Sequence, residues 1–132
     1  MESAEEFVRL RFSDDPEQYG RASSESASLE VWTEVVERYP EARFWVAHNK
    51  TVPLEILRVL AADPDPSVRS MVAVKRKLTA GILAQFATDP VESVRLSVAR
   101  HKKTSRSVLE KLLSDDWREV RETAQERLRN SD

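Results

Sequence analysis

Apolar residues along this chain come in short helical bursts separated by charged turns, and the bursts repeat. Ile56, Leu57, Leu60 and Ala61 fall at i, i+1, i+4 and i+5, which places them on one face of a helix. Asp63, Pro64, Asp65 and Pro66 stop that helix, because proline lacks the N–H that continuation requires. Pro66 is suited to the first position of the next helix with Asp65 as its N-cap. That helix carries Val68, Val72 and Ala73, matched by Ala42, Val46 and Ala47 before it and by Val94, Val98 and Ala99 after it. Trp32 sits at the apolar position of Leu57, Leu83 and Leu109 and is expected in the core. In the fourth copy Ala124 and Gln125 replace the pattern, a polar change that suits the last unit of a stack.

Aligned on these bursts, residues 29–128 divide into four units of about 26 residues, each predicting two short helices. The clearest marks of register are Arg43, Arg69, Arg95 and Arg121, 26 residues apart, each preceded six positions earlier by an acid: Glu37, Asp63, Asp89 and Asp115. A fixed period of this length means that no unit buries its apolar face until a neighbour stacks on it. Residues 1–28 are less regular. Ser3 with Glu6 forms a capping box for a helix through Phe12, Asp15-Pro16-Glu17 opens a second, and SSESAS at 23–28 reads as a loop with Ser28 as the next N-cap. Asp15 and Arg21 repeat the acid-to-arginine offset, so 1–28 is expected to be a degenerate unit acting as an N-terminal cap. Residues 129–132 read as a polar tail, and 1–132 as a single domain.

The segments DPDPSVRSMVA and DPVESVRLSVA, each followed by a basic turn and a helix start such as GIL, resemble the HEAT-like repeats, especially the short bacterial form called the leucine-rich repeat variant. The resemblance implies an all-α, right-handed α-solenoid of about four two-helix repeats with a helical N-terminal cap. It also implies a ladder between adjacent units made by Arg43, Asp63, Arg69, Asp89, Arg95, Asp115 and Arg121. Some members of that family carry an iron–sulfur cluster; this chain has no cysteine to hold one. The resemblance is unspecific for function; by analogy, small bacterial proteins of this type look like candidates for dedicated partners, including as toxin-neutralising immunity proteins.

Charge changes the picture of the surface. The net charge of −2 argues against general affinity for nucleic acid, but its distribution is uneven. Residues 1–42 carry four basic against eleven acidic side chains, 43–106 twelve against five, and 107–132 five against seven. The basic middle concentrates after the second helix of each unit, at Lys50, at Lys75, Arg76 and Lys77, and at His101, Lys102 and Lys103. Such a row could form a basic ridge, or could serve only to complement helix C-termini. A second candidate surface is the exposed side of the second helices, which the resemblance to HEAT-like stacks implies is concave, with Phe44, Trp45 and His48, then Met71, then Arg100. Aromatic residues and methionine beside arginine make good interface anchors. Phe44 and Trp45 could instead pack under the N-terminal cap.

Enzymatic chemistry has little to stand on. The two glycines belong to no phosphate loop, no GxSxG elbow occurs, and His48 and His101 lack metal-ligand spacing. The HEAT-like alkylpurine DNA glycosylases use tryptophan and an aspartate in a basic groove, and no clear acid lies on these rows. The expectation is therefore a non-enzymatic, monomeric binding protein without metal or cofactor, meeting an acidic protein partner through Phe44, Trp45, His48, Lys50, Met71, Lys75, Arg76, Arg100, His101 and Lys102. Nucleic acid on the same ridge is the alternative. The acidic start MESAEEF does not read as a signal peptide, and a cytoplasmic location is expected.

Overall fold

The structure is a computed structural model that describes residues 1–130. Among them the fold is all-helical, with ten α-helices and no strand. Two compact units divide the chain, Met1–Asp63 and Pro64–Asp132. The first holds α1 (Ala4–Arg11), α2 (Pro16–Ser24), α3 (Leu29–Arg38), a 3-10 turn (Pro40–Ala42), α4 (Arg43–His48) and α5 (Leu54–Leu60). The second holds α6 (Pro66–Ala73), α7 (Ala80–Phe86), α8 (Glu92–Arg100), α9 (Arg106–Leu112) and α10 (Arg118–Asn130).

Local signals set most of the helix starts. Asp15, Ser28, Asp65, Thr79 and Ser105 each accept a hydrogen bond from a backbone N–H of the first turn. Ser3 does so from Glu6, but the expected box is not reciprocal: Glu6 accepts instead from the Glu2 N–H at 2.8 Å. The first helix stops at Arg11 rather than Phe12, and α2 runs through Ser23 and Ser24 because both hydroxyls donate to the Gly20 carbonyl, so the loop is confined to 25–28. Arg129 and Asn130, expected in the tail, continue α10; Ser131 and Asp132 lie outside the described residues.

In the first unit Phe7 and Trp32 meet edge to face at 5.2 Å, both fully buried, where α1 packs on α3. Val35, Val46, Leu57 and Leu60 complete that core. In the second unit α8 packs against α6, α7 and α10, and α9 against α10. Val68, Val72 and Ala73, then Val94, Val98 and Ala99, then Val120 and Ala124 are buried, while Gln125 is exposed where the earlier units carry a buried alanine. Burial also recurs at one register position in the turns, Val52, Leu78 and Thr104, where Thr104 Oγ1 donates to the Val98 carbonyl at 2.7 Å.

Three of the four register arginines, Arg43, Arg69 and Arg95, point forward to an acid 20 residues later. Arg69 forks onto Asp89 (Nε–Oδ2 2.8 Å, Nη2–Oδ1 3.3 Å), and Arg95 repeats the same fork onto Asp115. Arg43 reaches Asp63 at 3.4 Å. The acid six positions back contributes its carbonyl instead: Arg95 donates to Asp89 O at 2.8 Å and Arg121 to Asp115 O at 2.7 Å. Arg43 uses the Val36 carbonyl, leaving Glu37 exposed and outside the pairing. Arg21 does not join either, because it pairs with Glu25 on its own helix end.

Arg95 and Asp115 are 13% and 6% exposed at the side chain, so each needs the other to offset desolvation. Burial by itself pushes the Asp115 carboxyl up, but the Arg95 hydrogen bond, the Trp117 N–H and neighbouring arginines outweigh it, and the group titrates below its ordinary 3.8. A depressed carboxyl stabilises the fold above its unfolded pKa and loses that contribution as pH falls through the folded value. Arg95→Ala should therefore lower stability at neutral pH by about 2 kcal/mol in urea titration, while Arg118→Ala, in an exposed pair with Glu122, leaves the midpoint unchanged. Acid titration of the unaltered protein should show stability lost below about pH 4, and Asp115→Asn should flatten part of that loss.

Candidate functional site: a basic pocket in the second unit

The basic turns expected as one ridge hold two neighbouring register positions whose side chains differ in exposure. At 26-residue spacing the first of these positions is Asn49, Lys75, His101 and Arg127, each buried or half-buried. Asn49, fully buried, donates through Nδ2 to the Ala22 and Glu25 carbonyls at 2.8 and 3.0 Å, while its Oδ1 accepts from the Thr51 N–H and hydroxyl. Arg127 donates to the Ala99 and His101 carbonyls at 2.7 and 2.9 Å. His101 Nδ1 lies 3.1 Å from the Lys103 N–H, which makes that nitrogen the acceptor and Nε2–H the donor to the Lys75 carbonyl at 2.7 Å. In each case a side chain closes carbonyls at the end of the preceding second helix, which the helix itself leaves open. Lys75 is half-buried, and burial, followed by repulsion from Lys77, pulls its ammonium pKa down.

The next position, Lys50, Arg76 and Lys102, is exposed. In the second unit Arg76 and Lys102 join Arg100, His101, Lys103 and Val74 around a pocket of about 290 Å³. Val74 is 55% exposed, an apolar floor among cations. Arg100 makes an exposed contact to Glu119 at 3.3 Å, which a competing anion can replace at little cost. The His101 ring is drawn inward onto Lys75 O, while the flanking Arg100 and Lys102 side chains are exposed. The arrangement is suited to binding anions beside a small apolar group, and it offers no nucleophile–base pair.

The other residues expected at a partner surface are elsewhere. Lys50 belongs to the first unit, where its N–H donates to the Ser23 carbonyl. Met71 is half-buried and does not line the pocket. Phe44, Trp45 and His48 pack on one another on the first unit, Phe44 against Trp45 at 4.8 Å and Trp45 against His48 at 5.5 Å. Phe44 and Trp45 are half-buried, and the face of the Trp45 ring is taken by the Arg11 guanidinium, 3.4 Å from its centroid. Arg11 and Tyr19 escaped the sequence reading because they precede the repeats and no register marks them. Lys103 and Val74 lie in the register but gain meaning only from the pocket.

Among the described residues no cluster of three or more His, Asp or Glu side chains could hold a metal ion, and no helix is long and apolar enough to cross a membrane. No family model, curated protein or solved structure matches the chain. Its chemistry must therefore be argued from the side chains. His101→Leu removes both ring hydrogen bonds, leaving the Lys75 carbonyl with the longer bond from the Leu78 N–H and the Lys103 N–H without its ring acceptor. It should cost about 1–2 kcal/mol in urea titration and speed amide exchange at Lys103.

Proposed function

We propose that this chain is a non-enzymatic protein-interaction module of the HEAT-like kind, a right-handed solenoid of about four helix pairs behind an N-terminal helical cap. It acts as an adaptor or inhibitor that holds an acidic segment of a protein partner. The observation that carries this reading is the pocket of the second unit, where Arg76, Arg100, Lys102 and Lys103 surround the exposed Val74. Four cations around one apolar contact favour a carboxylate-rich peptide with an aliphatic anchor: the charges steer and orient it, and Val74 supplies contact that is insensitive to salt. The 26-residue register and the forward arginine–aspartate forks support the repeat assignment. An inhibitor of the immunity-protein type would use such a surface against an acidic target.

Phosphates of a nucleic acid would meet the same cations. The net charge of −2 and the small size of the basic pocket weigh toward protein, since nucleic-acid affinity grows with the number of phosphates neutralised. Anisotropy titration with a labelled Glu/Leu peptide, and separately with a DNA duplex, distinguishes them. Joint reversal of Arg76, Arg100, Lys102 and Lys103 to Glu should weaken the peptide by about tenfold or more with the melting midpoint kept. Unchanged peptide affinity in that variant refutes the pocket. Tighter binding to the duplex, collapsing with salt, transfers the assignment to nucleic acid.

A further inference from the structure

A second cavity, of about 300 Å³, lies in the first unit and is lined by Arg11, Tyr19, Ala22, Trp45 and His48 among others. Its walls are mostly apolar: the Trp45 and Tyr19 rings, the buried Ala22 and the hydrogen-only side of Gly20, where an added Cβ would meet nothing within 4 Å. Its volume is at the small end of the range of small-molecule sites.

One charge sits in it. The Arg11 guanidinium lies over Trp45 at 3.4 Å and within 6 Å of both the Tyr19 and Phe12 rings, at 5.7 and 5.9 Å. It makes no ion pair among the described residues, and its Nε is buried with no hydrogen-bond partner, the sole such side-chain atom among them. A guanidinium without a carboxylate partner beside a mostly apolar cavity asks for an explanation, and an anion bound in that cavity is a direct one. No carboxylate lines the cavity to supply the countercharge. A second independent device fixes the walls. Asn49 ties the end of α2 to the end of α4 through the Ala22 and Glu25 carbonyls, and the Lys50 N–H adds a bond to Ser23.

We infer that this cavity binds a small organic carboxylate with an apolar, ring-sized body, the carboxylate engaging Arg11 and the body lying against Tyr19 and Trp45. One cation and a mostly apolar lining select a monoanion; a phosphate or polyanion is better matched by the four cations of the second unit. The planar guanidinium fork fits a carboxylate in a way a point charge does not. This site is separate from the basic pocket, so either can fail alone.

The test is titration of the isotope-labelled full chain with hydrocinnamate and with its neutral amide, reading the Trp45 indole N–H and Arg11 Nε–H resonances. The acid should shift both and bind about tenfold or more tightly than the amide. Arg11→Gln should erase that preference, while Arg9→Gln, an exposed arginine on the same helix, should keep it. Equal binding of acid and amide to the unaltered protein overturns the inference whether or not the variants fold. So does an absence of shifts at millimolar acid, or shifts confined to the Arg76 and Lys102 region.

Discussion

The arginine–aspartate fork is the interaction on which the repeated part of this molecule depends. Its helices are mostly six to ten residues long, too short to persist alone in water. Each must be held by its neighbours, and apolar contact is non-directional, so it cannot set by itself which turn faces which. A fork from Arg69 to Asp89, repeated from Arg95 to Asp115, supplies direction. The same guanidinium also satisfies a carbonyl of its own turn, as Arg95 does at Asp89 O. One side chain therefore joins two successive helix pairs and closes a backbone group that burial would leave open. Because both partners are mostly covered, neither charge is tolerable without the other.

A second set of polar side chains works at the opposite end of the second helices. Asn49, His101 and Arg127 close carbonyls of the preceding unit with three different chemistries at one register position. That position tolerates an amide, an imidazole or a guanidinium because all it must supply is a donor of the right reach. One residue later the chain faces outward, and there Arg76 and Lys102 are exposed. The same basic turn thus divides its side chains between bracing and presentation. The pocket of the second unit is a consequence of that division.

The first unit is built differently at its start. Its α1 and α2 lack the forks, Arg21 pairing locally with Glu25, and their place is held by Phe7 against Trp32 and by Asn49 reaching α2. Here Arg11 is stacked on Trp45 rather than paired with an acid. A cation held by aromatic faces keeps its charge available, whereas Arg69 and Arg95 have theirs neutralised by Asp89 and Asp115.

The helical class, the boundaries of most helices and the register of the buried positions were legible in the chain, because caps, prolines and apolar periodicity act over a few residues. Asp65 with Pro66, Ser28, and the triplets around Val72 and Val98 are of this kind. The sequence alone also marked Arg69, Arg95, Asp89 and Asp115 through their spacing. Which acid an arginine takes was decided by packing: at Arg95 the acid six residues back offers its carbonyl, and the carboxylate comes from 20 residues ahead. Tertiary structure likewise decided that His101 turns inward while Lys102 turns outward, since neighbouring residues of one turn look alike until a carbonyl is placed beside one of them. It also decided that Arg11, in a helix outside the repeat, rests on Trp45. No local pattern encodes that contact, because its two halves are 34 residues apart and meet only when α1 and α4 border the same cavity.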